Sequence, residues 1–227
     1  MDLLGELGDG RTVFRRALEH GADPRATAYE LGYVVVRPLA AARTDDGDLE
    51  LRLLVRPPDG DAPPPTEEQQ QDDGLSAVDL LAPERRQRVA AYAIVRSSSG
   101  LLATEFSTRT AVPGRWGLPG GGIDPDEQPC DAVLREVAEE TRQTVTLGDL
   151  VEVQTSHWVG RSPRGTVEDY HAVRLVYTAG CEQPTTPSVA DVGGTTESAR
   201  WVPLDLWRDV DWTAGWRQLL AVHLDPG

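Results

Sequence analysis

Apolar and polar positions divide the chain into two patterned stretches with an unpatterned one between them. Residues 57–74, PPDGDAPPPTEEQQQDDG, hold five prolines, a glutamine run and six acids. Nothing there repeats at a helical or strand period, and such a composition favours extended chain over a packed element. The expected organisation is an N-terminal extension over 1–56, a linker over 57–84 and a larger domain over 85–227.

Before the linker, residues 12–20 read as a helix that Gly21 would stop. Asp23-Pro24 offers an N-cap and a first-turn proline for a second short helix to about residue 31. Residues 32–42 and 49–55 alternate as strands around Thr44-Asp45-Asp46-Gly47-Asp48, which predicts a hairpin. After the linker, strands are expected at 89–96 and 101–106 around Ser97-Ser98-Ser99-Gly100. Residues 116–118 then lead into Pro119-Gly120-Gly121-Gly122, a rigid stop followed by permissive glycines. A helix follows over 129–141, with Pro129 at a tolerated first position. Strands at 150–158, 167–178 and 199–202 and an amphipathic helix over 212–223 complete an α/β pattern.

Charge narrows the function classes. Lysine plus arginine number 22 against 37 acids, a net charge of −15. Such a surface repels polyanions, which argues against a general nucleic-acid binder even though two N-terminal helices around a tight turn invite that reading. A packing or homodimerisation element is the expected use of the extension. Two cysteines, Cys130 and Cys181, fit neither a disulfide framework nor zinc spacing. The absence of a long apolar run and of a basic-then-apolar leader argues against membrane insertion and places the protein in the cytoplasm.

The chemistry concentrates in residues 121–143, GGIDPDEQPCDAVLREVAEETRQ. On a helix, Glu136, Glu139 and Glu140 fall within a sector of about 100°. Like charges at that spacing repel unless something offsets them. Hard oxygen ligands grouped in this way suit Mg2+, or Mn2+, together with substrate phosphates. Val133 and Val137 lie one turn apart on the side that could face the core, so the helix can be anchored while its acidic face lines a cleft. Arg135 precedes Glu139 by four residues, close enough to fix its carboxylate.

These residues carry a family resemblance. Gly121, Glu127, Arg135, Glu136, Val137, Glu139 and Glu140 match the Nudix box, G-x5-E-x7-R-E-U-x-E-E-x-G-U with U a bulky apolar residue. The lead-in WGLPGG at 116–121 and ARWVPLDLW at 199–207 also resemble that family. Arg142 and Gln143 depart from the final Gly-U, so a different helix ending is expected there. The resemblance implies a mixed β-sheet sandwiched between helices, beside which this chain adds its N-terminal helix and β-hairpin segment. It also implies hydrolysis of a nucleoside diphosphate linked to another group, by water attack at phosphorus with a divalent metal. Glu136, Glu139, Glu140 and the Gly120 carbonyl would be metal ligands, Glu127 an outer support and Arg135 an orienter. The general base varies within the family: Glu136, Glu139 or a later acid among Glu168, Asp169 and Glu197.

For a small-molecule, nucleotide-type substrate, Trp158 and Tyr170, with the neighbouring His157 and His171, are candidates to stack on a base. Arg115, Arg161 and Arg164 are candidates for phosphates, with Glu168 beside them. Two other readings stay open, a nucleotide sensor without turnover and a prenyl diphosphate isomerase on a related fold.

Overall fold

A computed structural model describes residues 1–60, 69–162, 165–190 and 194–224. In chain order the elements are β1 (Asp2–Glu6), β2 (Thr12–Ala17), α1 (Pro24–Glu30), β3 (Val34–Arg43), β4 (Leu49–Arg56), β5 (Gln69–Gln71) and β6 (Glu84–Ser97). Then come β7 (Gly100–Phe106), β8 (Trp116–Gly117), β9 (Gly120–Gly122), α2 (Pro129–Thr141), β10 (Thr146–Arg161), β11 (Val167–Cys181), β12 (Thr196–Val202) and α3 (Ala214–Leu224). One sheet has four strands in the order β2-β1-β4-β3. The other has eight, with β12-β7-β6-β11-β10-β5 in sequence, β8 on β7 and β9 on β6. Parallel and antiparallel pairs occur in both, so the fold is a mixed α/β one. The chain forms two compact units. The first is Met1–Ala90, Gly122–Pro129 and Asp149–Val176; the second is Ala91–Gly121, Cys130–Gly148 and Tyr177–Gly227.

In the first unit, β1 runs parallel to β4, setting Leu3 beside Leu51. β4 reads LELRLLVR and buries alternate residues Leu49, Leu51, Leu53 and Val55, the period-2 signature of a sheet with one covered face. β3 and β4 form the expected hairpin. The helix expected over 12–20 is instead strand β2, paired antiparallel with β1. A ladder partner at Asp2–Glu6 satisfies the backbone that a helix would have satisfied internally. Phe14 packs on Gly5, where an added Cβ would come within 2.2 Å of its ring. The expected pair of N-terminal helices is therefore one helix, α1.

That helix is capped as expected. The Asp23 carboxylate accepts from the N–H groups of Arg25 (2.7 Å) and Ala26 (3.3 Å), with Pro24 opening the first turn. Residues 61–68 of the expected linker lie outside the described residues. The glutamine run that follows is β5, parallel to β10, with His157 opposite Gln69.

In the second unit, β12 pairs antiparallel with β7 and sets Val202 opposite Leu101. Leu101, Leu102 and Ala103 are fully buried, as are Val133 and Val137 of α2 and Leu220 of α3. The valines thus fix the covered face of α2; Glu140, seven residues after Val133, is buried on that side, whereas Glu139 is exposed and Glu136 lies between them.

Candidate active site

Within the second unit the box residues other than Glu127 converge on α2 and the glycine turn before it. Gly120 and Gly121 let the backbone come close. A Cβ on Gly120 would lie 2.3 Å from the Ala91 carbonyl oxygen, and its φ of 142° suits glycine. A Cβ on Gly121 would lie 2.5 Å from the Glu136 carboxylate, so the box glycine is what gives that carboxylate its seat.

Glu140 is the buried member. It accepts from the Gly120 N–H (3.0 Å) and from the Thr196 hydroxyl. Burial pushes its pKa up to about 7 from an ordinary 4.5. The bonds from Thr196 and Gly120 pull the other way, and repulsion from Glu136 and Glu139 adds to the rise. Arg135 bridges the other two acids, its Nη1 lying 3.0 Å from Glu136 Oε1 and 3.3 Å from Glu139 Oε2. Glu136 is largely covered, whereas half of the Glu139 side chain is exposed.

This is a donor set of hard oxygens with negative charge in excess, one member of which is held against its own ionisation. A divalent cation of the Mg2+ kind fits it on both counts. The described contact of Gly120 with this set runs through its N–H.

The helix end resolves the departure at Arg142. Its φ is 53°, the left-handed conformation that the box glycine would supply, and its N–H closes the last turn on the Ala138 carbonyl (2.9 Å). The expectation of a different ending is therefore corrected: the backbone keeps the conformation and a non-glycine residue bears the strain. Gln143 stands at an apolar box position and is buried as well. Its amide bonds Thr185 (2.9 Å, through Nε2 and again through Oε1) and the Thr141 carbonyl (3.1 Å), which makes a polar side chain tolerable there.

Two features escaped sequence reading. Thr196 orients Glu140 from 56 residues further along the chain. Its neighbours line a cavity of about 440 Å³ with Ser107, Arg109, Ser188 and Glu197. Of the expected later acids, Glu197 alone belongs to this lining. Arg115 is outside it, paired instead with Asp211.

The remaining candidates belong to the first unit. Glu127 accepts from the Asp124 N–H (3.0 Å), and its loop is gripped by Arg43, whose Nε donates to the Glu127 carbonyl (2.8 Å). Arg43 N–H also donates to the Gln128 side chain (2.9 Å). Trp158 donates from its indole to Asp72 (3.1 Å), and Arg161 meets Asp72 and Asp79. Glu168 lies 3.5 Å from Arg86. Tyr170 is half-buried. Asp169 lies against His20 and His157. Arg164 lies outside the described residues.

Among known proteins, a family model described as NUDIX domain matches residues 85–220. A nucleoside triphosphatase NudI from Enterobacter sp. is 31% identical over 101 residues, 40% of this chain and 67% of that protein. An RNA pyrophosphohydrolase from Nitratiruptor sp. is 44% identical over 59 residues, 25% of this chain and 38% of that protein. The chain thus spans about two thirds of the first of these curated relatives and well under half of the second. A solved MutT protein from Methanosarcina mazei is 22% identical, with a TM-score of 0.47, covering 63% of this chain and 96% of that one.

Proposed function

The chain belongs to the NUDIX family, and on that premise we propose that it is a metal-dependent pyrophosphohydrolase. Its substrate on this reading is a nucleoside diphosphate linked to another group, of nucleotide or nucleotide-sugar type. The observation that carries the reading is the three-carboxylate turn of α2, with Glu140 buried between a backbone N–H and a threonine hydroxyl. Glu136, Glu139 and Glu140 would hold Mg2+, or Mn2+, with the Gly120 carbonyl as a further ligand. Bound there, the cation would neutralise phosphate charge and acidify water.

The protein's own groups do the rest. Thr196 and Gly120 fix both oxygens of Glu140, and Arg135 holds Glu136 and Glu139 in register. Glu139 is our choice for the proton acceptor, because it is half exposed while Glu136 is covered. The cavity lined by Ser107, Arg109 and Glu197 brings a guanidinium for phosphate and hydroxyls for a ribose or sugar. Glu127 acts as support for its own loop, which Arg43 braces from β3.

A panel of nucleoside triphosphates, ADP-ribose, dinucleotides and nucleotide-sugars with Mg2+ or Mn2+ tests the reading. Turnover of at least one class, lost in EDTA, supports it. Binding without turnover across the panel would overturn it in favour of a nucleotide sensor.

A further inference from the structure

Outside the carboxylate turn, the first unit gathers imidazoles around one acid. His20, just after β2, and His157 of β10 both point Nε2 at the same oxygen of Asp169 on β11, at 3.0 and 2.5 Å. The three ligand-capable atoms lie within 4.8 Å of one another. Each side chain is about one-fifth exposed or less, so the trio is neither a solvated surface cluster nor sealed off. His20 and His157 also line a cavity of about 330 Å³ with Arg16, Glu19, Thr27 and Glu30.

Two surrounding features go beyond a simple hydrogen-bonded trio. Gly21, at φ 83°, makes room for the His157 ring: an added Cβ would lie 2.7 Å from its Nδ1. A third imidazole, His171, is fully buried, with ring centroids 5.6 Å from His20 and 6.2 Å from His157. Its Nδ1 meets Gln87 (2.8 Å), but its Nε2 has no hydrogen bond. Burial lowers its pKa to about 4, against a backbone interaction with Ala22 that favours the protonated ring.

We propose that His20 Nε2, His157 Nε2 and Asp169 Oδ1 bind a divalent transition metal of the Zn2+ class, with a coordination position left open toward the cavity. Two imidazole nitrogens select such ions over Mg2+, which prefers oxygen, so this set is chemically unlike the three glutamates. Three protein ligands with an open fourth position is the arrangement of a zinc site that takes water or a small anion. Around a tetrahedral ion the ligand atoms would stand about 3.3 Å apart, so each His–Asp pair must open by less than 1 Å. To bind the ion, each imidazole must present its Nε2 lone pair, which leaves the ring proton on Nδ1. The ion would tie the chain after β2 to β10 and β11, closing a loop of more than a hundred residues.

The test uses the full chain, stripped with EDTA and returned to saturating Mg2+. Zn2+ is measured by equilibrium dialysis with elemental analysis, and Co2+ by its visible absorption. One equivalent of Zn2+ is expected in wild type and equally in Glu140→Gln. Affinity should fall at least about tenfold in Asp169→Asn and His157→Gln, with loss of the intense tetrahedral Co2+ bands. Zn2+ should raise the melting temperature of wild type and not of Asp169→Asn. If His157→Gln fails to fold, His20→Asn carries the same comparison. Wild-type Zn2+ affinity in Asp169→Asn and His20→Asn would overturn the proposal, as would loss of Zn2+ binding in Glu140→Gln.

Discussion

Glu140→Gln should make the metal-free protein more stable while removing its chemistry. Glu140 is buried between the Gly120 N–H and the Thr196 hydroxyl, one turn from Glu136 and next to Glu139. Its pKa rises from 4.5 to about 7 in the folded protein. A carboxyl raised in this way binds its proton more tightly folded than unfolded. Stability is therefore full below about pH 4.5 and falls as pH rises toward 7. A rise of that size corresponds to roughly 3 kcal/mol lost above pH 7, at about 1.4 kcal/mol per pKa unit. Glutamine is isosteric and uncharged. One amide oxygen can keep the Gly120 N–H, and the Thr196 hydroxyl can turn to accept from the amide nitrogen. In EDTA at pH 8, Glu140→Gln should thus melt several degrees above wild type. At pH 4 the difference should vanish. Mg2+ should then raise the melting temperature of wild type alone, since it relieves a repulsion the variant lacks. Differential scanning calorimetry at both pH values, with and without Mg2+, reads each arm. A variant less stable than wild type at pH 8 in EDTA would show that the charged Glu140 does not destabilise the fold.

Other substitutions probe separate parts of the account. Gly121→Ala should displace the Glu136 carboxylate, and the Mg2+ concentration for half-maximal activity should rise at least about tenfold; an unchanged Mg2+ dependence would count against that seat. Arg142→Gly should stabilise by about 0.5–1 kcal/mol, since glycine relieves the left-handed strain at φ 53°, and urea unfolding would show it. Arg43→Ala removes the donors to the Glu127 carbonyl and to Gly47 (2.8 Å each) and should cost about 1–3 kcal/mol, read by the same unfolding curve. Its kcat should fall more than its KM rises if the loop's position matters to chemistry.

What the sequence made legible was local. The cap at Asp23, the β3–β4 hairpin and the span of α2 each rest on residues within a few positions of one another. Helix geometry alone grouped Glu136, Glu139 and Glu140, and the buried valines confirm which face of α2 is covered. The errors and omissions came where a distant partner decides. Residues 12–17 are a strand because Asp2–Glu6 pairs with them, a partner that helical propensity does not register. Thr196 lies far along the chain from the glutamate it orients, and only the fold puts its hydroxyl on Glu140. Arg142 shows the opposite case. Its side chain predicted a changed helix ending, yet the hydrogen bond to Ala138 holds the backbone in the conformation glycine would have taken. The His20–His157–Asp169 cluster is invisible to spacing for the same reason, being drawn from three separate elements.

Whether the α2 carboxylates are a working metal site is read by titrating Mg2+ into wild type and Glu140→Gln while following phosphate release from the best panel substrate. Wild type should show saturable, Mg2+-dependent turnover, and the variant a loss of at least about a hundredfold, the scale expected when a group stabilising transition-state charge is removed. A wild-type rate in Glu140→Gln, at any Mg2+ concentration, would contradict a metal site there.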